Sequence, residues 1–598
     1  MSAVTRSVVP RRLGALVVCC AMVATLLVAI AAEPAQAAPN TYVRMSDGVL
    51  IALNVRMPDG YKKGEKVPTI FEMSGYDGGS ASGDEPYAGE GSRVLTKQFY
   101  DDYATVHASV RGTGCSGGEF DLFSWRSALD GRELIGWIAD QNWSNGDIGI
   151  YGHSYGGITG FMVAATRPPE LDAVSVSGLI DDLYRGIVYP GGVSNYGFPL
   201  LWTGIVRPAY DYGGGLQPGL RERQPECAQA TTTKSRTVLN DPILQGIQDT
   251  DNSWMQARSL INYAERIDVP IHISGAYQDE QTGPRGPYHL FEEVTNAPVR
   301  HLLMSNGNHG TQQSKAMERR RKAFLDHFLL GRGSRPARTN VTTLLEMVDD
   351  KPNGVMENRT FPLETTDWTN LYLGPDGSLS PNEPGPKGGS DSYFSGSMRQ
   401  SWSYQAGHKP GAPFTTADGP DQITYATKKF RTPTAIVGPA TATLYVSATA
   451  PDTELFVQVI DEAPDGTRYY VQRGMLKASH RAIMGGLSDR LGDGRIYRPH
   501  RPHTNPTPIE PGKTYEYLVE IFPFGHVFRP GHRLVVKVHA PPIVDSYYAY
   551  VPKRPVSINT VLHDKKHPSH LMLPFVPLRG VQLGAALESC SLTAVRCV

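Results

Sequence analysis

Residues 147–156 read Asp147-Ile148-Gly149-Ile150-Tyr151-Gly152-His153-Ser154-Tyr155-Gly156. Residues 147–151 form a strand that runs straight into the pattern G-x-S-x-G. Directly after it, Ile158, Phe161, Met162 and Ala165 recur at helical spacing, and Pro168-Pro169 stops the helix. The pattern alone arises readily by chance; its setting between strand and helix makes it specific. Such a turn is tight enough that side chains at 152 and 156 would meet neighbouring backbone. The same strain lifts the Ser154 Oγ clear of the sheet, and the N-terminus of the following helix favours negative charge beside it. The plain alternative is a glycine-rich strand–helix turn with no chemistry, so the downstream residues must decide.

A serine hydroxyl is a weak nucleophile until a base takes its proton. After an elbow of this kind the chain supplies first an acid and then a histidine. Residues 270–278 read as a strand and turn, and Asp279 follows, with Glu280 as its neighbouring rival. Residues 300–305 form one more strand, closed by Asn306-Gly307-Asn308-His309-Gly310. Small neighbours let a His309 imidazole reach toward Ser154, whereas His301 opens its strand. Ser154, Asp279 and His309 are therefore the expected catalytic set.

Around this centre, residues 38–335 alternate strands and helices, the pattern of a parallel sheet covered on both faces. Strands are expected at 67–73, 103–110, 148–150, 171–176, 269–273 and 301–304. Ser127-Ala128-Leu129-Asp130 resembles a capping box opening a helix that buries Leu134, Ile135 and Ile138. An amphipathic helix at 313–330 ends at Gly331. Residues 179–264 break the alternation and are rich in Gly, Tyr, Trp and Pro; they are expected to form a helical cap insertion, with a helix over 253–266. From 336 to 598 the period changes to two, with Pro-Asp-Gly at 464–466 marking a hairpin. That region reads as an all-β sandwich or jelly roll.

The chain carries 58 basic and 59 acidic residues, a net charge of −1 that argues against nucleic-acid partners and against a basic membrane-binding surface. Its 62 glycines and 46 prolines stay below the roughly 25–30% at which a chain reads as disordered. Residues 1–37 have the form of a signal peptide: Arg6, Arg11 and Arg12, an apolar run at 13–32, then Ala35-Gln36-Ala37. The run is also long enough to be an uncleaved anchor, and Arg11-Arg12 permits twin-arginine export. Cleavage after about Ala37 would give a secreted protein with no stable membrane association. Export suits disulfides. Cys115, Cys227, Cys590 and Cys597 remain in the mature chain and allow three pairings; a local Cys590–Cys597 bridge is the simplest, which leaves Cys115 with Cys227. Free thiols are the alternative. No metal or cofactor motif appears, and His500-Arg501-Pro502-His503 is at most half a metal site.

These motifs resemble those of the α/β-hydrolases grouped with X-Pro dipeptidyl-peptidases, cocaine esterase and α-amino-acid ester hydrolases. The resemblance rests on residues 152–157, on Gly275-Ala276-Tyr277-Gln278-Asp279, on Asn308-His309-Gly310, and on Arg111-Gly112-Thr113-Gly114-Cys115-Ser116. It extends through residues 323–331 to the tail at 559–574. It implies an α/β-hydrolase domain with a helical cap, followed by a C-terminal jelly roll, and hydrolysis through an acyl-enzyme. It also implies an oxyanion hole built from the Tyr76 hydroxyl, in Ser74-Gly75-Tyr76-Asp77, and the Tyr155 backbone N–H.

The family divides over substrate. X-Pro peptides and α-amino esters need an anionic pocket for an ammonium group, for which Glu280, Asp181 and Asp182 are candidates. Gln281-Thr282 stand where the amino-ester hydrolases carry further acids, so a small ester is the first expectation and an X-Pro peptide or amino-acid ester the alternative. Tyr184, Tyr189, Tyr196, Phe198, Trp202 and Tyr210 either line an apolar pocket or form the core of the cap. A carbohydrate-binding protein with an inactive hydrolase domain is a remote third reading, opposed by the complete Ser154–Asp279–His309 set.

Overall fold

The computed structural model describes residues 41–76, 97–206, 225–235, 242–348, 351–386, 388–396, 420–541, 550 and 556–584. Residues 1–37, where a signal peptide is expected, and Asp77, Tyr210, Cys590 and Cys597 lie outside the described residues. No described helix is long and apolar enough to cross a membrane.

Ten strands make the first sheet: β1 (Thr41–Arg44), β2 (Leu50–Arg56), β3 (Val67–Ser74), β4 (Ala104–Ser109), β5 (Ser144–His153), β6 (Leu171–Ser177), β7 (Ile271–Ala276), β8 (Arg300–Ser305), β9 (Thr339–Val348) and β10 (Lys351–Asn358). They lie in the order β1-β2-β4-β3-β5-β6-β7-β8-β9-β10. The strands from β4 to β9 pair in parallel, and antiparallel pairs finish both edges. Every residue of β7 is buried, as a parallel sheet covered on both faces requires. The sheet runs past the boundary expected at 335, because β9 pairs with β8 rather than with the following domain.

Four helices matter most: α1 (Trp125–Ala139), α2 (Tyr155–Ala165), α3 (Arg285–Glu293) and α4 (Lys315–Leu330). All of α2 is buried, so this helix has no solvent face. Gly331 ends α4 at φ 64°, in the left-handed region that glycine favours. The capping box expected at 127–130 is displaced: Ser124 is the N-cap and its side chain accepts the Ser127 N–H. Asp130 instead takes a buried two-pronged bond from Arg111, at 2.6 Å for each contact. The Arg111 loop is thereby fixed to α1.

Between β6 and β7 the cap is a series of short helices: Leu183–Val188, Gly197–Leu201, Trp202–Val206, Pro225–Thr231, Pro242–Gly246, Ser253–Gln256 and Leu260–Arg266. The single helix expected over 253–266 is broken at Ala257–Ser259, where the Ser259 hydroxyl turns back to the Met255 carbonyl. A Cys115–Cys227 disulfide, Cα atoms 4.9 Å apart, ties the cap helix Pro225–Thr231 to the loop after β4.

The C-terminal region comprises β11 (Asp367–Gly374), β12 (Ser378–Ser380), β13 (Gly389–Phe394), β14 (Gln422–Ala426), β15 (Thr434–Ala448), β16 (Glu454–Glu462), β17 (Arg468–Lys477), β18 (Asp489–Arg490), β19 (Ile496–Arg498), β20 (Tyr515–Phe528), β21 (Arg533–His539), β22 (Ile558–His563) and β23 (His570–Val576). The region is all-β, but the separate stacked sheets of a jelly roll are not what its hydrogen bonding shows. Pairing runs β15-β20-β17-β16-β21-β14-β12-β11-β23 and returns from β23 to β15, closing nine strands into a barrel. β15 makes closure possible: it is long, its register shifts after Gly438, and one edge is shared between β23 and β22. Closure leaves no open edge in the ring.

This barrel braces the first domain where the turns that carry Asp279 and His309 emerge. Gln472 donates to the Tyr277 carbonyl at 2.7 Å, and Gln278 donates to the Val471 carbonyl at 3.0 Å. Asn306 donates to the Gly525 carbonyl.

Candidate active site

Ser154 sits between β5 and α2 at φ 55°, ψ −124°, a strained conformation for a residue with a side chain. A Cβ at Gly152 would stand 2.4 Å from the Gly156 carbonyl oxygen. At Gly156 the obstacle is the Glu72 carboxylate, 2.7 Å away, rather than the backbone expected from the sequence. At Gly157 it is the Ser177 carbonyl, at 2.3 Å. Beneath the turn, the buried Arg321 of α4 donates to the Gly152 and Ser175 carbonyls. The strain at Ser154 is thus held by neighbours on every side.

Asp279 and His309 meet, with His309 Nδ1 2.9 Å from Asp279 Oδ2. His309 opens a 3₁₀ turn (His309–Gln313) capped by Asn308. A Cβ on Gly178 would lie 3.0 Å from the Ser154 nitrogen and 3.1 Å from His309 Cε1, so serine and imidazole border one small space. The buried Asp279 carboxylate also accepts from the Thr282 N–H and hydroxyl and from Gln312 Nε2 at 2.6 Å. Burial pushes its pKa up, yet the His309 charge and these donors win and hold it well below the usual carboxylate range.

Sequence reading missed Thr282 and Gln312. Both stand three residues after a site residue, the reach of a side chain folded back across one turn. His153 was missed as well: its buried ring packs against His309 with centroids 4.5 Å apart, and its Nδ1 lies 2.8 Å from Ser177 Oγ. Burial pushes the His153 pKa well down, so this ring stays neutral beside His309.

The three acidic candidates for an ammonium site are occupied elsewhere. Glu280 is buried and accepts the His309 backbone N–H at 2.9 Å. Asp181 is held by Arg285 and lies 2.7 Å from His289 Nδ1. Asp182 caps Leu183–Val188 and binds Arg185 at 2.7 Å. None of them lines the cavity beside Ser154.

That cavity, of about 260 Å³, lies between the elbow and the cap. Tyr76, Tyr155, Tyr189, Tyr196, Phe198 and Trp202 give it an aromatic wall. Among the described residues lining it, none is Asp, Glu, Lys, Arg or His. The cap aromatics divide: Tyr184 is buried cap core, stacked on Tyr189 and donating to the Asp249 carbonyl.

Tyr76 follows β3 and Tyr155 opens α2, where backbone N–H groups point out of the helix end. Their rings meet edge to face at 5.6 Å, and a Cβ at Gly75 would strike the Tyr155 ring at 2.8 Å. Glycine at 75 is what admits that packing. Trp202 donates its indole N–H to the Tyr76 oxygen at 2.7 Å. The loop at 111–116 is structural: Ser116 Oγ donates to the Ser109 carbonyl and accepts from Ala52 N–H.

Residues 47–311 match the family model described as X-Pro dipeptidyl-peptidase (S15 family), and residues 343–572 match the X-Pro dipeptidyl-peptidase C-terminal non-catalytic domain. A cocaine esterase of Rhodococcus sp. is 25% identical over 614 residues, covering 90% of this chain and 98% of that one. A CocE/NonD family hydrolase from Staphylococcus aureus superposes with a TM-score of 0.70 at 20% identity, covering 90% and 93% of the two chains. An aminopeptidase from a marine sediment Thaumarchaeota archaeon gives 0.69 at 18% identity, covering 90% and 96%. The architecture of a hydrolase domain followed by a C-terminal domain is common to these likenesses.

Proposed function

The chain belongs to the X-Pro dipeptidyl-peptidase (S15) family and is a hydrolase, and from that premise we propose that Ser154, His309 and Asp279 are its nucleophile, base and orienting acid. The Asp279–His309 contact at 2.9 Å, set beside a strained serine, carries this reading. With Nδ1 engaged by Asp279, His309 uses Nε2 to take the Ser154 proton as Oγ attacks the carbonyl carbon. The oxyanion that forms takes hydrogen bonds from the Tyr76 hydroxyl and the Tyr155 N–H. His309 then returns the proton to the departing alcohol, leaving an acyl group on Ser154. Water then gives a proton to the same imidazole as it attacks the acyl carbon, and the imidazole passes that proton to Ser154 Oγ as the acid leaves.

The apolar wall supports an uncharged carboxylic ester as substrate. Among the described residues no carboxylate lines that wall, and Glu280, Asp181 and Asp182 lie outside it bonded to other groups, so a substrate ammonium would be desolvated against apolar side chains. The X-Pro dipeptidyl-peptidase alternative needs such a partner from another residue. The leader in the sequence and the buried Cys115–Cys227 bridge support export. A fluorophosphonate probe followed by peptide mapping tests the assignment. The adduct is expected on Ser154 and nowhere else; an unlabelled protein, or an adduct on another serine, overturns it.

A further inference from the structure

We propose that Trp202, a residue of the cap, is a positioning residue for the oxyanion hole: its indole N–H fixes the Tyr76 hydroxyl so that the hydroxyl proton faces the reacting carbonyl. The inference rests on the reading of Tyr76 as an oxyanion donor. Three observations carry it.

The first is direction. An indole N–H is a donor only, so in the 2.7 Å Trp202–Tyr76 contact the phenolic oxygen must accept. The Tyr76 proton is therefore turned away from Trp202. Accepting one hydrogen bond also polarises the hydroxyl and strengthens the one it donates.

The second is rigidity. Trp202 is buried, and its ring stacks on Tyr155 with centroids 5.7 Å apart and planes 25° apart. The same indole meets the Tyr76 ring edge to face at 6.4 Å. One side chain thus touches both residues assigned to the oxyanion hole. A hydroxyl held before reaction does not have to reorient as charge develops.

The third is position. Trp202 lies where the cap helices Gly197–Leu201 and Trp202–Val206 join, whereas Tyr76 and Tyr155 belong to the sheet domain. The cap therefore does more than wall the cavity: docking it completes the alignment of the oxyanion donor.

A purely wall-forming Trp202 predicts a different result, so the test separates the two roles. Trp202→Phe keeps an aromatic wall and removes the N–H. With active enzyme counted by fluorophosphonate titration, kcat for a phenyl ester should fall about five- to tenfold, the worth of one neutral hydrogen bond, with KM within twofold. In a Tyr76→Phe background the same change should cost nothing further in kcat. Unchanged kcat, a loss confined to KM, or losses that multiply in the double variant would overturn the inference while leaving the oxyanion reading intact. Wild-type kcat in Tyr76→Phe alone would overturn the oxyanion reading and this inference with it.

Discussion

The Glu280 carboxylate accepts the backbone N–H of His309 at 2.9 Å, so the residue beside Asp279 holds His309 by its main chain. Burial, and then the charge of Asp279, raise its pKa to about 6 from an ordinary 4.5. The folded protein therefore binds this proton more tightly than the unfolded chain does. The stability it contributes is fully present below pH about 4.5 and is lost as pH rises through about 6. Glu280→Gln keeps an acceptor and removes the charge. The variant should be more stable than wild type by about 2 kcal/mol at pH 8, and the two should converge near pH 4. Urea unfolding at both pH values checks this; equal stability at pH 8 contradicts it.

Thr282 acts through Asp279. Its hydroxyl donates to the carboxylate at 2.7 Å and is buried. Thr282→Val keeps the shape and removes the donor. A hydrogen bond to a charged group is worth about 1.5–3 kcal/mol, so kcat should fall roughly ten- to a hundredfold as Asp279 loses its hold on His309. Steady-state kinetics on a neutral ester gives the answer; wild-type kcat would show that Gln312 and the Thr282 N–H suffice.

Under the proposed mechanism Ser154, His309 and Asp279 should behave as a unit. Ser154→Ala and His309→Ala are each expected to abolish turnover, and the double variant to be hardly worse. Losses that multiply would break the pairing. Thermal melting should show Ser154→Ala folded, because alanine keeps the backbone of the elbow and only the hydroxyl is lost.

Much of this arrangement was legible because it is local. Strand, glycine turn and helix around Ser154 follow one another within about twenty residues, and the turns carrying Asp279 and His309 each close a strand. What stayed hidden depends on distant partners. Ser127 and Asp130 have the spacing of a capping box, but Arg111 claims the Asp130 carboxylate and the helix starts at Ser124. Strand β9 looks like the start of the β domain until its pairing with β8 is seen. The change to a period of two marks the region as β, yet only the mutual pairing of β15 and β23 closes the barrel. The acids at 181, 182 and 280 read as ligands for a cation because the sequence gives no sign of the Arg285, Arg185 and His309 groups that engage them.

The Cys115–Cys227 bridge joins the cap to a core loop across 112 residues of chain. Replacing both cysteines by serine should lower stability by roughly 2–4 kcal/mol, toward the upper end for so long a loop. A reductant should destabilise wild type far more than the double variant. Identical unfolding midpoints for wild type with and without reductant would contradict this.

Substrate preference is decided by kcat/KM for a panel of neutral aryl esters, amino-acid esters and X-Pro arylamides across pH. The apolar cavity predicts that a neutral ester leads the panel. Its activity should fall along an acid limb as the His309 imidazole is protonated and can no longer take the Ser154 proton. Glu280→Gln should retain that limb. An X-Pro arylamide with a kcat/KM above every ester, collapsing in Glu280→Gln, would contradict the account and establish the dipeptidyl-peptidase alternative.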